Sequence, residues 1–113
     1  MAKKVKPQVQ QKEQTQLKEQ ADKVLAAVPE EYVFWCHDGR IFRSIKDLAE
    51  GLGTMSDDTF AYHVNSEKND FSKWVGEVIK DEKLASDLAT AKNRKQAAGY
   101  IAARLTVITS QIP

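Results

Sequence analysis

The 113-residue chain has one cysteine, three prolines and five glycines, and what it lacks excludes several classes of protein. Its single cysteine, Cys36, cannot form an internal disulfide, so the fold is not a small disulfide-stapled scaffold. No apolar run approaches the roughly 18 residues that a membrane span needs. The basic start, residues 1–6, has no apolar stretch behind it and is not typical of a secretory signal. We therefore expect a cytoplasmic protein that does not enter a membrane.

Residues that support catalysis or bind cofactors are also scarce. His37 follows Cys36 directly, and neighbouring side chains on a strand point to opposite faces, so only His63 could activate the thiol, and no spacing brings it there. These three residues and Asp38 follow no recognised metal-ligand spacing. No glycine-rich loop lies between a strand and a helix, where a phosphate would bind. We expect no catalytic residue, no cofactor and no metal, and hence a protein that is not an enzyme.

The chain does have a concentrated supply of aromatic side chains. Eight of its nine aromatic residues fall between Tyr32 and Trp74. Each buried aromatic removes roughly 150–250 Å² from water, so this stretch supplies the core of one small domain. Residues 1–16 hold only two valines as large apolar residues, together with five glutamines. We expect them to form a disordered, basic and glutamine-rich tail ahead of a single compact domain, residues 17–113.

The spacing of apolar residues after the tail is mostly helical. Ser44, Ser56 and Asp81 are placed to cap three of the predicted helices at their N-termini. The predicted helices cover about residues 17–28, 44–53, 56–65, 70–80, 82–91 and 94–109. Together with one hairpin they predict a small α+β domain that is mainly α, with five or six short helices.

The hairpin is predicted over residues 31–43. Aromatic and β-branched residues stand on both sides of Asp38 and Gly39, which suit a two-residue type I′ turn because both of its central positions need a positive φ. This register places Trp35 opposite Phe42. Both faces of the ribbon are then apolar.

One apolar face of the ribbon packs on the helices, and the other must also be shielded from water. The helix of residues 17–28 or the last helix can cover it within one chain; otherwise it binds a protein partner or a second copy of the chain in a homodimer. The candidate partner-binding residues are Phe34, Trp35, Ile41 and Phe42.

The charged residues are segregated along the chain. Residues 1–29 hold six lysines against three acids, residues 30–91 hold seven basic residues against thirteen acids, and residues 92–113 hold four basic residues and no acid. Three interpretations stay open: the basic ends fold against the acidic middle, the pattern is a solvated surface with no role, or the ends bind an anionic partner such as a nucleic acid. The candidate residues for an anionic partner are Lys3, Lys4, Lys6, Lys92, Arg94 and Lys95.

Residues 44–65 have a spacing similar to that of a helix-turn-helix, with one extra residue in the turn. The second helix, which would enter the DNA groove, carries Asp57 and Asp58 and no lysine or arginine. A recognition helix normally uses basic or amide side chains on phosphates and bases. The packing of two helices on a common core explains the spacing equally well.

The order of motifs FWxxDGR, MSDxxFxYHV, NDFxxWV and DxxLAxxL runs from Phe34 to Leu88. In this order the chain resembles, over residues 32–90, a family of short, mostly archaeal domains of unknown function, which occur alone or appended to other proteins. The resemblance implies no activity, ligand or site residue, because the family has no known function.

A large apolar surface without a convergent polar site suits recognition better than chemistry. We therefore expect a small non-catalytic intracellular module that binds another protein as an adaptor. The alternative is a protein that binds nucleic acid or the ribosome, either through its basic ends or through the helix-turn-helix-like segment, residues 44–65.

Overall fold

The computed structural model describes residues 21–110, so the predicted tail and the lysines at positions 3, 4 and 6 lie outside the described residues. The described chain starts in a helical segment, residues 21–25 (α1), and next forms a short 3₁₀ helix, Glu30–Tyr32. The strands are Phe34–Trp35 (β1) and Ile41–Phe42 (β2). The helices that follow are Ile45–Thr54 (α2), Asp57–His63 (α3), Asp70–Trp74 (α4), Glu82–Ala89 (α5) and Arg94–Ser110 (α6). The mainly helical α+β fold with one antiparallel hairpin is confirmed.

The helix starts follow the capping residues of the sequence. Ser44, Ser56 and Asp81 each accept a hydrogen bond from the backbone N–H three residues later, at 3.2, 3.1 and 3.1 Å. Asn69 does the same for α4 at 2.9 Å. Each side chain satisfies one of the backbone N–H groups that a helix leaves without a partner at its N-terminus.

The predicted helix of residues 70–80 is helical over residues 70–79, but its second half is a π-helix rather than an α-helix. After α4 the chain widens into a π-helical turn, Val75–Ile79, and ends at Lys80, which has a left-handed backbone with φ 66°. The Lys80 N–H donates to the Val75 carbonyl at 2.8 Å, which closes the wider ring of a π-helix rather than an α-helical turn. Apolar periodicity does not reveal this change, because it alters the hydrogen-bond partner and leaves the buried face in place.

The core lies where α2, α4, α5 and α6 meet beneath the hairpin. Phe42 reaches α2 directly at Gly51, where a Cβ atom would overlap the aromatic ring. The largest fully buried side chains are Ile45, Leu48, Leu52, Phe71, Val75, Leu84, Leu88 and Ile101.

The predicted register of the hairpin is wrong by one residue. The strands pair Phe34 with Phe42 and Trp35 with Ile41, and the Cys36 N–H donates to the carbonyl of residue 40 at 2.9 Å. The loop therefore has three residues, 37–39, instead of two. Its last position, Gly39, has a φ of 96°, as a three-residue hairpin loop requires.

The loop is longer because Asp38 does not take the positive φ of a type I′ turn. Its carboxylate instead accepts a hydrogen bond from the Arg40 N–H at 3.0 Å. The Gly39 N–H closes the turn by donating to the Cys36 carbonyl at 3.0 Å. These local bonds stabilise a turn followed by a left-handed glycine.

The chain before the hairpin also differs from the prediction. The helix expected to reach residue 28 ends at residue 25, and the Val28 N–H donates to the Arg43 carbonyl at 2.8 Å. The 3₁₀ helix occupies the expected start of the hairpin. Trp74 donates its indole N–H to the Tyr32 carbonyl at 2.8 Å and so holds this turn against α4.

Candidate functional site

The outward side of the hairpin presents two apolar side chains, Trp35 and Ile41, which we call the hairpin face. Trp35 is 69% exposed, and its cross-strand neighbour Ile41 is half-buried. Phe34 and Phe42 lie on the opposite side, where their rings stack with centroids 5.9 Å apart inside the core. Two of the four predicted partner-binding residues therefore form the core, and the other two are available at the surface.

His63 anchors one side of the hairpin loop. Its side chain is only 5% exposed, and its Nε2 accepts a hydrogen bond from the His37 backbone N–H at 3.0 Å. Its Nδ1 lies 2.9 Å from Oδ2 of Asp70. Because a backbone N–H can only donate, Nε2 carries no proton, and the neutral ring donates from Nδ1 to the carboxylate. Both ring nitrogens are occupied, so His63 is a structural residue and not a free general base.

The partners of His63 are themselves held in place. Burial raises the pKa of Asp70, but hydrogen bonds from His63 and from Lys68, whose Nζ is 3.1 Å away, outweigh it and hold the pKa below its ordinary value. The Lys68 ammonium also lies 4.9 Å above the Tyr62 ring. The Tyr62 ring also stacks on the His37 ring, with the ring centroids 3.8 Å apart. This side of the loop is therefore fixed to α3 and α4.

Arg40 anchors the other side of the loop. It donates from Nε and Nη2 to Oδ2 of Asp38 at 3.0 and 2.8 Å. Its Nη1 donates to Oγ1 of Thr54 at 2.6 Å, and its Nη2 is 3.4 Å from the Gly51 carbonyl. The hydrogen bond from Arg40 lowers the pKa of Asp38 to about 2, and the same bond raises the pKa of Arg40. The loop is thereby tied to α2 as well.

An open groove of about 500 Å³ runs between β2 and α2. Ile41 belongs both to this groove and to the hairpin face, so the two surfaces are continuous. Asp47 and Glu50 supply carboxylates to the groove, and Oδ2 of Asp47 accepts the Arg43 backbone N–H at 2.8 Å. The groove lining consists of Arg40, Ile41, Phe42, Asp47, Glu50, Gly51 and Thr54.

Cys36 is buried beneath the hairpin, and burial raises the pKa of its thiol. The thiol is therefore protonated at neutral pH, whereas a nucleophilic cysteine acts as the thiolate. Across residues 21–110, no three histidine, cysteine, aspartate or glutamate side chains come together in a way that could hold a metal ion. In the same range no helix is long and apolar enough to cross a membrane.

The basic residues near the C-terminus divide into two kinds. Arg94 donates from Nε to Oδ1 of Asp57 at 3.1 Å and from Nη1 to the Leu52 carbonyl at 2.8 Å, so it faces the protein. Arg104 pairs at 2.8 Å with Asp81, which is buried at the start of α5. The side chains of the two other candidates, Lys92 and Lys95, are exposed.

The helix-turn-helix-like segment forms two consecutive helices, α2 and α3, joined through Met55 and Ser56. The second helix has only seven residues, with Asp57 and Asp58 in its first turn. A groove-binding helix would present basic groups at this position. The charge at the start of α3 is therefore opposite to that of a DNA-reading helix.

Sequence reasoning missed the partnership of His63 with Asp70 and of Arg40 with Thr54. The members of the two pairs are seven and fourteen residues apart, whereas side chains in contact on one helix are three or four residues apart. The first depends on the chain reversal that brings Val64 beside Asn69 in an isolated β-bridge. The FWxxDGR motif contains Arg40, but the motif alone does not indicate that Arg40 reaches the end of α2.

No protein-family model, no curated protein and no solved structure matches the chain. The resemblance to short archaeal domains therefore stays a prediction.

Proposed function

We propose that this chain is a small non-catalytic protein-interaction module and that a partner protein docks on the hairpin face. The observation that carries the proposal is Trp35, which is 69% exposed at the centre of a short hairpin. Tryptophan is strongly enriched among the residues that dominate binding energies at protein interfaces. A fully exposed side chain of this kind has roughly 150–250 Å² of surface, so docking can remove at most roughly 100–170 Å² of Trp35 from water, which at about 25 cal/mol/Å² is roughly 3–4 kcal/mol before the costs of association.

The contacts that fix the hairpin in place favour a role in binding a partner protein. His63 holds one side of the loop, through the His37 N–H, and Arg40 holds the other, through Asp38 and Thr54. Phe34 and Phe42 fix the opposite side of the ribbon in the core. A binding surface that is already ordered loses little conformational entropy when a partner docks. A ribbon braced on both sides therefore suits a preformed docking surface.

Site-specific photocrosslinking tests the proposal. A benzophenone amino acid replaces Trp35 in one version of the protein and Glu77, which is exposed on the π-helical turn, in a control version. Both are expressed in the cells that naturally make the protein. We expect a discrete crosslinked protein from position 35 and none from position 77. The same crosslinked products from both positions, or none from either, would contradict the proposal.

A second candidate function is binding of a nucleic acid, on its own or within a ribosome. It is favoured by Lys92 and Lys95, which are exposed and pair with no acid among residues 21–110. Binding to duplex DNA and to structured RNA is measured over a range of salt concentrations. An electrostatic binder shows a steep decrease of log affinity with log salt, and reversal of both lysine charges makes the slope shallower. A flat salt dependence would exclude this candidate.

A further inference from the structure

We propose that the groove beside the hairpin face takes the lysine or arginine side chain of a basic segment in the partner protein. This inference rests on the proposed function and adds the chemistry of the partner. Its support is the charge that the groove leaves unpaired, the apolar surface next to that charge, and the continuity between the groove and Trp35.

The groove has an excess of negative charge. Its one cation, Arg40, is already used by Asp38, Thr54 and the Gly51 carbonyl. The remaining charged groups of the lining are the carboxylates of Asp47 and Glu50. Asp38, which lies outside the lining, pairs with Arg40, so the two carboxylates of the lining have no cation of the lining left to pair with. A cationic group of a partner would compensate them.

Glu50 is the more available of the two groove carboxylates. Asp47 already accepts the Arg43 backbone N–H and lies in the first turn of α2. The Glu50 side chain is exposed and forms no hydrogen bond or ion pair with any residue in the range 21–110. Its influence on Arg40 is Coulombic only. A partner cation can therefore reach Glu50 without displacing an internal bond.

The apolar part of the groove suits a long basic side chain. The half-buried Ile41 supplies the apolar surface of one wall, next to the carboxylates of α2, whereas Phe42, also in the lining, is almost fully buried. Lysine and arginine place their aliphatic stems against apolar surface and keep the charged group in a polar environment. A compact inorganic cation would use the carboxylates and gain nothing from the apolar wall. The combination therefore points to a side chain of a protein.

Continuity with the hairpin face extends this inference to the neighbouring residue of the partner. Ile41 lines the groove and stands directly opposite Trp35. Residues two apart in an extended segment lie on one face, roughly 7 Å from each other. A segment with a basic residue and an apolar residue two positions apart can place the first in the groove and the second on Trp35.

The probes for the test are three labelled peptides of about ten residues, a length that covers a short docking segment. One alternates lysine with valine, one glutamate with valine, and one serine with valine. Their affinities for the full chain are compared by fluorescence anisotropy at low and physiological salt. We expect the lysine peptide to bind at least about tenfold more tightly than either of the others, with the preference reduced by salt.

Charge variants of the protein locate the binding site. Glu50→Gln and Glu50→Lys remove and reverse the groove charge, and Glu77→Gln and Glu77→Lys make the same changes at an exposed residue outside the groove. We expect Glu50→Lys to weaken binding of the lysine peptide about tenfold, Glu50→Gln to weaken it less, and both Glu77 variants to stay within about twofold of the parent. Thermal melting of each variant shows that the fold is retained. Equal losses in the Glu50 and Glu77 variants would overturn the inference.

The remaining outcomes separate this inference from the proposed function. If the serine peptide binds as tightly as the lysine peptide and Trp35→Ser abolishes both, the hairpin face binds partners and the basic preference is wrong. If no peptide binds but photocrosslinking at position 35 succeeds, the inference about a basic partner is wrong and the proposed function stands. Sedimentation of the chain by itself tests whether a second copy, rather than a basic partner, occupies this surface. Self-association that Trp35→Ser removes would show that a second copy binds there. Failure of both peptides and crosslinking would overturn the proposed function as well.

Discussion

The two faces of one short hairpin have opposite environments. Phe34 and Phe42 are 8% and 3% exposed, whereas Trp35, the next residue after Phe34, is 69% exposed. All three are large aromatic residues, so composition does not separate them. The pairing register does, because successive residues of a strand point to opposite sides. The three-residue loop at residues 37–39 therefore places Phe42 opposite Phe34, on the core side, and leaves Trp35 at the surface.

The largest expected effect comes from truncating one aromatic residue on each face. Phe34→Ala should lower the free energy of unfolding by about 3–5 kcal/mol, because it removes a buried ring from the core. Trp35→Ala should change it by less than about 0.5 kcal/mol, as is usual for surface substitutions. Chemical denaturation of both variants measures the difference. Comparable losses in the two variants would show that the faces are not distinct.

The next effect concerns the anchor of the hairpin loop. His63→Ala should cost about 2–3 kcal/mol, because it leaves the His37 N–H and the Asp70 carboxylate without a buried partner. His63→Gln can place an acceptor near the position of Nε2 and should recover part of this loss. Full stability of His63→Ala would mean that the loop needs no anchor.

A pair of glycine substitutions tests the contact between the hairpin core and α2. Gly51→Ala should destabilise the protein by about 1–3 kcal/mol, because its Cβ would overlap the Phe42 ring. The control is Gly53→Ala in the same helix, where a Cβ has nothing within 4 Å. It should stabilise the protein by up to about 1 kcal/mol through the better helix propensity of alanine. Destabilisation by both substitutions to the same extent would contradict the close approach of Phe42.

The smallest effect is a pH dependence that arises from Asp38. The hydrogen bond from Arg40 lowers the pKa of this carboxyl to about 2, below its unfolded value near 4. A lowered folded pKa gives stability that is present above the unfolded value and is lost as the pH falls from about 4 to about 2. The difference in melting temperature between the parent and Asp38→Asn should therefore be constant from neutral pH to about pH 5 and then shrink. A difference that grows on acidification would contradict the ion pair.

Local signals account for the parts of the fold that the sequence predicts well. Ser44, Ser56 and Asp81 cap their helices as expected, since a cap depends on a side chain and a backbone group three residues apart. Capping and apolar periodicity both act within a few turns of chain. They are therefore visible without knowledge of the tertiary structure.

The candidate site depends on interactions that a local pattern does not contain. The Asp38–Gly39 pair suits two different loops, and the choice follows from hydrogen bonds that Asp38 makes with Arg40. The pair of buried His63 and half-buried Asp70 forms across a reversal of the chain. A shift of one residue in the register replaces Phe42, the predicted cross-strand neighbour of Trp35, with Ile41.

The most direct test of the hairpin face is the fluorescence of Trp35 alone. Trp74→Phe removes the other tryptophan and leaves Trp35 as the single reporter. In the free protein its emission should be that of a water-exposed indole and should be quenched readily by acrylamide. Addition of the lysine and valine peptide should shift the emission to shorter wavelength and protect it from quenching. Emission of a buried indole before any peptide is added would contradict the account, as would an emission that stays unchanged at peptide saturation.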